Sequence, residues 1–177
     1  MTQNAIVATV LVLVLAACAT ALPSSDPGPS TTSPTSTTVS ESPAVDEILV
    51  QATMHLLRND TTFGEGHVFP KVLVVDRMKD GAPLTSDQMA ALSTAISKLS
   101  EVEFIGDPKD FITDDLRPTI DGAAIITLGP VTIDGSDATI DMEMWCGSLC
   151  GIWLTYALEV GDAGWEVLGT VGPIAVS

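Results

Sequence analysis

The residues of this chain with chemistry to offer are its carboxylates, two histidines and three cysteines. Asp141 and Glu143 stand two apart, so on a strand they share one face, as a general acid and base would. Paired solvated carboxylates on a sheet surface have the same spacing. Asp134, Asp137 and Asp141, and separately Asp110, Asp114 and Asp115, carry the hard oxygen ligands that calcium takes. Yet Asp134-Gly135-Ser136-Asp137 also reads as a hairpin turn, and neither run has the EF-hand order. His55 and His67 sit in no ligand-spaced cluster, and a zinc site at Cys146 and Cys150 would need two more ligands, so no metal is assigned. Gly-x-Ser-x-Gly, His-Glu-x-x-His, the phosphate loop and the dinucleotide fingerprint are all missing. No catalytic residue and no cofactor are expected, and an enzyme remains the minor alternative.

Cys18 follows an uncharged segment over residues 5–22, AIVATVLVLVLAACATAL, in which a compact apolar core gives way to small residues. That is the order of a signal peptide, although Met1-Thr2-Gln3-Asn4 lacks the usual positive charge. Leu15-Ala16-Ala17-Cys18 resembles the bacterial lipobox at all four positions. The resemblance implies cleavage before Cys18, removal of residues 1–17, and acyl chains such as palmitate carried on a Cys18 thioether. The alternative is an uncleaved transmembrane helix, for which eighteen apolar residues are just long enough. Either anchor puts the rest of the chain at the cell membrane, on its extracytoplasmic side.

After Cys18, the stretch from Pro23 to Pro43 is almost wholly Ser, Thr and Pro, with too little apolar surface to offset the entropy of ordering it. Residues 18–43 therefore read as a lipidated cysteine and linker, reaching about 25 Å as a coil and about 65 Å when extended. Residues 44–177 are left as one domain. The chain holds 23 acidic and 7 basic residues, and from Pro118 onward there is no Lys or Arg. Nucleic acid is excluded as a partner on that ground, since its binding rests on cationic contacts to phosphate. Lipid on Cys18 is the route to the membrane, and an envelope protein or small ligand is the expected partner of the domain.

With Cys18 assigned to lipid, Cys146 and Cys150 remain in an oxidising compartment, four residues apart across a tight turn. A disulfide is the natural reading. A redox-active pair is the alternative, but the spacing is Cys-x3-Cys and no helix follows to lower a thiol pKa. Cys146-Gly147-Ser148-Leu149-Cys150-Gly151, then Tyr156-Ala157-Leu158-Glu159, then Gly164-Trp165-Glu166-Val167 and a final Ser177 resemble the tail of a group of uncharacterised bacterial exported proteins. The likeness covers about 35 residues and implies a shape without a reaction.

Positioning these residues falls to two helices and several strands. Pro43 with Ser42 before it starts a helix that runs to about Asn59, with Val45, Ile48, Leu49, Ala52 and Leu56 as its apolar stripe. Val68 to Asp76 reads as a buried strand. Thr85 and Gln88 fit a capping box, opening a second helix that ends near Ser100. Val102 to Ile105 suggests a short strand, and Asp110 to Asp115 a loop or helical turn. Ala123–Ile133, Thr139–Cys146, Ile152–Val160 and Trp165–Val171 follow as strands. The expected fold is α+β, with two N-terminal helices packed on an antiparallel meander of four or more strands.

Placing Cys146 opposite Cys150 pairs Met144 with Ile152, Met142 with Leu154 and Ile140 with Tyr156 on the helix-covered face. Pairing Val160 with Trp165 likewise sets Leu158 against Val167 and Tyr156 against Gly169. The other face then carries Asp141, Glu143 and Thr155 together with Trp145, Trp153 and Leu168, which are read as a binding surface or as covered by another segment. The expected function is a noncatalytic binding or envelope-interaction module. The alternative is a small hydrolase or isomerase, through a loose likeness to the cone-shaped sheet of nuclear-transport-factor-like domains.

Overall fold

Helix α1, Pro43–Asn59, opens on a proline and buries Val45, Ile48, Leu49, Ala52 and Leu56, the stripe expected from the sequence. The computed structural model describes residues 43–64 and 66–177. The apolar segment 5–22, Cys18 with its lipobox, and the Ser/Thr/Pro run through Ser42 lie outside the described residues. Strand β1 is Lys71–Val75, and helix α2 is Ser86–Ile96. Thr85 and Gln88 form both halves of the capping box, satisfying two amides at the start of α2. The helix stops at Ile96, earlier than the expected Ser100, and turns lead into β2, Glu101–Ile105. A 3-10 turn at Pro108–Phe111 precedes β3 (Ala124–Asp134), β4 (Asp137–Gly147), β5 (Cys150–Gly161) and β6 (Gly164–Val176).

The expected antiparallel meander is corrected here to a mixed six-stranded sheet of order β2-β1-β3-β4-β5-β6. β1 lies parallel to both β2 and β3, and only β3 to β6 form the meander. Helix α2 is thus the crossover of a β1-α2-β2 unit and not a second leading helix. The reason is visible in β1: Val72, Leu73, Val74 and Val75 are all buried, so the strand is covered on both faces, as parallel strands generally are. Lys71 bridges Glu101 and Glu103 on β2 at 3.1 and 2.6 Å, tying the parallel pair at its start. The hydrogen bonds that the Lys71 ammonium donates to Glu103 and Glu101 hold it above its usual pKa range.

The core has two parts. The larger unites α1 and α2 with the inner face of the sheet, where Ile126, Leu128, Ile140, Met142, Met144, Leu154, Tyr156 and Leu158 are buried. The smaller lies on the other face, where Phe111, Ile112 and Ile120 cover Leu73, Val75, Ile105, Ala123 and Ile125.

The β4–β5 register pairs Met144 with Ile152, Met142 with Leu154 and Ile140 with Tyr156. It does not pair the two cysteines. Gly147 faces Cys150 across a two-residue turn, and Cys146 is the extra residue of a bulge, because a two-residue turn matches strand twist better than a three-residue one. On β6, Trp165 faces Val160 and Val167 faces Leu158, after which a bulge at Leu168 moves Tyr156 opposite Thr170 and not Gly169.

Candidate functional site

Helix α1 runs against the sheet so that its two ends mark the two ends of the domain. Near its start, the Glu47 carboxylate accepts a hydrogen bond from the Trp165 N–H at 3.1 Å, beside the β5–β6 turn. Beyond its far end, Asp60 reaches Tyr156 in the middle of β5 and Thr62 reaches Cys150 at the start of that strand. Tyr156, fully buried, donates its hydroxyl proton to Asp60 Oδ2 at 2.6 Å. His55 Nε2 lies 3.4 Å from the same oxygen, and its ring meets Tyr156 edge-on at 5.2 Å. Burial, then the bond to Asp60 and its charge, push the Tyr156 phenol well above its ordinary pKa.

Asp60 fixes the loop that follows. Thr61 caps it with a 2.7 Å bond to the Gly64 carbonyl, and the Thr62 hydroxyl donates to Cys150 Sγ at 3.1 Å. Cys150 is bonded to Cys146, with their Cα atoms 5.0 Å apart. Phe63 is thereby held beside the β4–β5 hairpin, its ring 4.5 Å from His67, which in turn meets the buried Phe69 at 4.7 Å. Across the hairpin, a side-chain carbon at Gly147 would sit 3.8 Å from the Leu116 carbonyl, so the loop carrying Leu116 adjoins the turn. Leu116 has φ 57, the left-handed region that leucine rarely takes. The end of β6 arrives at the same place: Val176 pairs with Ile152, and Ser177 N–H donates to the Gly151 carbonyl at 3.1 Å.

Four separate segments therefore deliver large apolar side chains to one end of the domain. Leu149 at the hairpin tip is 86% exposed, Val176 68%, Phe63 60% and Leu116 55%. Full burial is worth about 1.5–3 kcal/mol for each such side chain, hence about 6–12 kcal/mol gross for four. The cost of bringing two bodies together is of the same order. A partner would need the whole set, and no single side chain would suffice.

Trp153 borders this end, its ring lying over Gly151 and beside Ser177 Oγ. Trp145, paired with Gly151, is partly buried against the smaller core, against which Phe111, Ile112 and Ile120 also pack. Leu168 is exposed in the middle of β6, apart from both tryptophans. The structure thus brings two of the three expected surface residues together. Asp141 and Glu143 share the outer face but have separate partners: Thr155 Oγ1 donates to Asp141 at 2.6 Å, and Lys79 Nζ meets Glu143 at 2.7 Å. Asp137 pairs with Asp134 at the β3–β4 turn, and Asp115 pairs with Thr113 and Arg117. Among the described residues no group of three or more His, Cys, Asp or Glu is placed to hold a metal.

The inner face, which a cone-shaped sheet would open as a pocket, is filled by α1 and α2. A cleft between Leu57, His67, Val68, Phe69, Leu99 and Ser100 has a volume of about 10 Å³, room for one water. Sequence reasoning missed Leu149, Phe63, Leu116 and Val176. Leu149 carried a signal, as an apolar residue in a two-residue turn where small polar residues are the rule. The other three gather only through long-range contacts. Compared with models of known protein families, with curated proteins and with solved structures, the chain finds no match.

Proposed function

We propose that this chain is an extracytoplasmic lipoprotein, held at the cell membrane by lipid on Cys18, whose domain is a noncatalytic module that contacts an envelope protein. Its contact surface is the apolar end around the Cys146–Cys150 hairpin, formed by Leu149, Phe63, Leu116 and Val176 and bordered by Trp153. The observation that carries this reading is that four distant segments bearing exposed apolar side chains meet beside one disulfide: Thr62 bonds Cys150, the Leu116 carbonyl adjoins Gly147, and Val176 pairs with Ile152. Isolated exposed apolar residues need no explanation, whereas a group of them marks an interaction site. The Asp60–Tyr156 and Thr62–Cys150 bonds tie the loop that carries Phe63 to the strand that leaves the Leu149 hairpin, which lowers the ordering cost of binding. The Ser/Thr/Pro linker gives the domain reach, and its acidity keeps it off anionic lipid.

Two experiments test the two halves. Cells fed a clickable fatty acid should label the wild-type chain and leave Cys18→Ala unlabelled; equal labelling of both would remove the lipid anchor. Isolated envelopes should retain the wild-type chain after its anchor is cut, and release Leu149→Ser/Phe63→Ser. Equal retention of both would place the contact elsewhere.

A further inference from the structure

Between β2 and β3 the chain turns back on itself in a small hairpin. Ile112 bridges Pro118 in the antiparallel sense, the Thr113 N–H donates to the Arg117 carbonyl at 2.8 Å, and the Arg117 N–H donates to the Thr113 hydroxyl at 3.1 Å. Its loop is three residues, Asp114-Asp115-Leu116, closed by the Leu116 N–H on the Thr113 carbonyl at 3.0 Å. A three-residue hairpin loop ends on a residue in the left-handed region, a place made for glycine. Leu116 stands there instead, at φ 57, and the nine other described residues with positive φ are all glycine. Crowding of a side-chain carbon against the following carbonyl makes this conformation cost about 5- to 30-fold in the folded-to-unfolded ratio. Packing offsets only part of that, because the side chain is 55% exposed.

We infer that Leu116 is the anchor of the contact surface, a single branched apolar side chain that enters an apolar pocket of the partner protein. This rests on the contact surface proposed above and deepens it, by assigning unequal roles to its four members. Strain kept at an exposed residue marks a site where the side chain is needed for something other than the fold. Turn chemistry alone would place glycine at position 116, and glycine would remove the side chain. The bonds between Thr113 and Arg117 fix the loop in the free domain, so presenting the side chain loses little further order on binding. Leu149, Phe63 and Val176 have no positive φ and carry no such cost. They form the surround that excludes water from the anchor, as the rim of a contact does around its central residue. The anchor sets which partner fits, and the area of all four supplies the affinity.

The test compares three substitutions in the full chain, read by urea unfolding and by retention on isolated envelopes. Leu116→Gly and Leu116→Ala both remove the reach of the side chain, but only Gly relieves the backbone. Leu116→Gly should have a folding constant about threefold above that of Leu116→Ala, the reverse of their order on ordinary backbone. Envelopes should release both variants and retain Leu116→Met, whose side chain is apolar and of similar volume. A folding constant for Leu116→Ala equal to or above that of Leu116→Gly, retention of Leu116→Gly at the wild-type level, or release of Leu116→Met would overturn the inference. Because Leu116→Gly relaxes the loop, its release is not a loss of fold, and unchanged circular dichroism checks this directly. Retention of Leu116→Gly together with release of Leu149→Ser/Phe63→Ser would remove the anchor and leave the contact surface standing. Retention of both would remove the two together.

Discussion

Tyr156→Phe is the substitution whose cost changes most sharply with pH. The ring stays in place, so the loss is the hydroxyl's 2.6 Å bond to Asp60. A hydrogen bond to a charged group contributes about 1.5–3 kcal/mol. Asp60 is one-third exposed and keeps His55 and water, which puts the cost near the lower limit, about 1.5 kcal/mol at pH 7. Burial and Asp60 raise the folded-state pKa of Tyr156 above its unfolded value of about 10. Its contribution is therefore whole below pH 10 and is lost as pH rises beyond it, when the unfolded chain ionises and the folded chain does not. At pH 11 that ionisation favours the unfolded chain by about 1.4 kcal/mol, a term that the Phe variant lacks. Tyr156 is the sole tyrosine of the chain, so titration of lysines, common to both proteins, cancels in the difference. Urea unfolding followed by tryptophan fluorescence should show wild type ahead by about 1.5 kcal/mol at pH 7 and almost level at pH 11. A difference that does not change with pH, or no difference at pH 7, would refute the reasoning.

Thr53 is fully buried in α1, and its hydroxyl has no hydrogen-bond partner among the described residues. Thr53→Val should raise stability by about 1 kcal/mol, read as a higher thermal midpoint; a lower midpoint would mean that the hydroxyl has an acceptor. A carbon added at Gly129, in the bulge of β3, would sit 2.8–2.9 Å from the Asp141 Cβ and carbonyl oxygen. Gly129→Ala should cost about 1–3 kcal/mol in urea, against near zero if the bulge simply shifts. Cys146→Ser/Cys150→Ser removes a short covalent ring, a loss of about 2 kcal/mol, and should release Phe63 and Leu149 to faster proteolysis. Unchanged proteolysis would show that the loops hold without the bond.

Much of this fold is written in local pattern. The α1 stripe, the Thr85–Gln88 box and the four meander strands follow from periodicity and turn residues over short windows. The parallel pair was less legible, because β2 is short and half-exposed, and the signal lay in β1, whose unbroken Val-Leu-Val-Val run means cover on both faces. Register came out correctly from Ile140 to Trp145, where alternation is strict, and slipped where bulges intervene at Cys146 and Leu168. A bulge adds a residue without altering composition, so alternation cannot announce it. For Trp145 the sequence leaves open a binding surface or cover by another segment; the side chain is partly buried against the smaller core, against which Phe111, Ile112 and Ile120, remote in sequence, also pack. The apolar end was the least legible part, since its members come from four segments spread between Phe63 and Val176.

The central claim, that the hairpin end is the contact surface, is tested most directly by photocrosslinking in cells. A benzophenone amino acid is placed in turn at Leu149, at Phe63 and, at the opposite end, at Asp162 in the β5–β6 turn. Leu149 and Phe63 should each give one adduct of the same discrete mass, lost when Leu116→Ser is added, and Asp162 should give none. An adduct from Asp162 alone, or adducts from Leu149 and Phe63 that differ in mass, would contradict it.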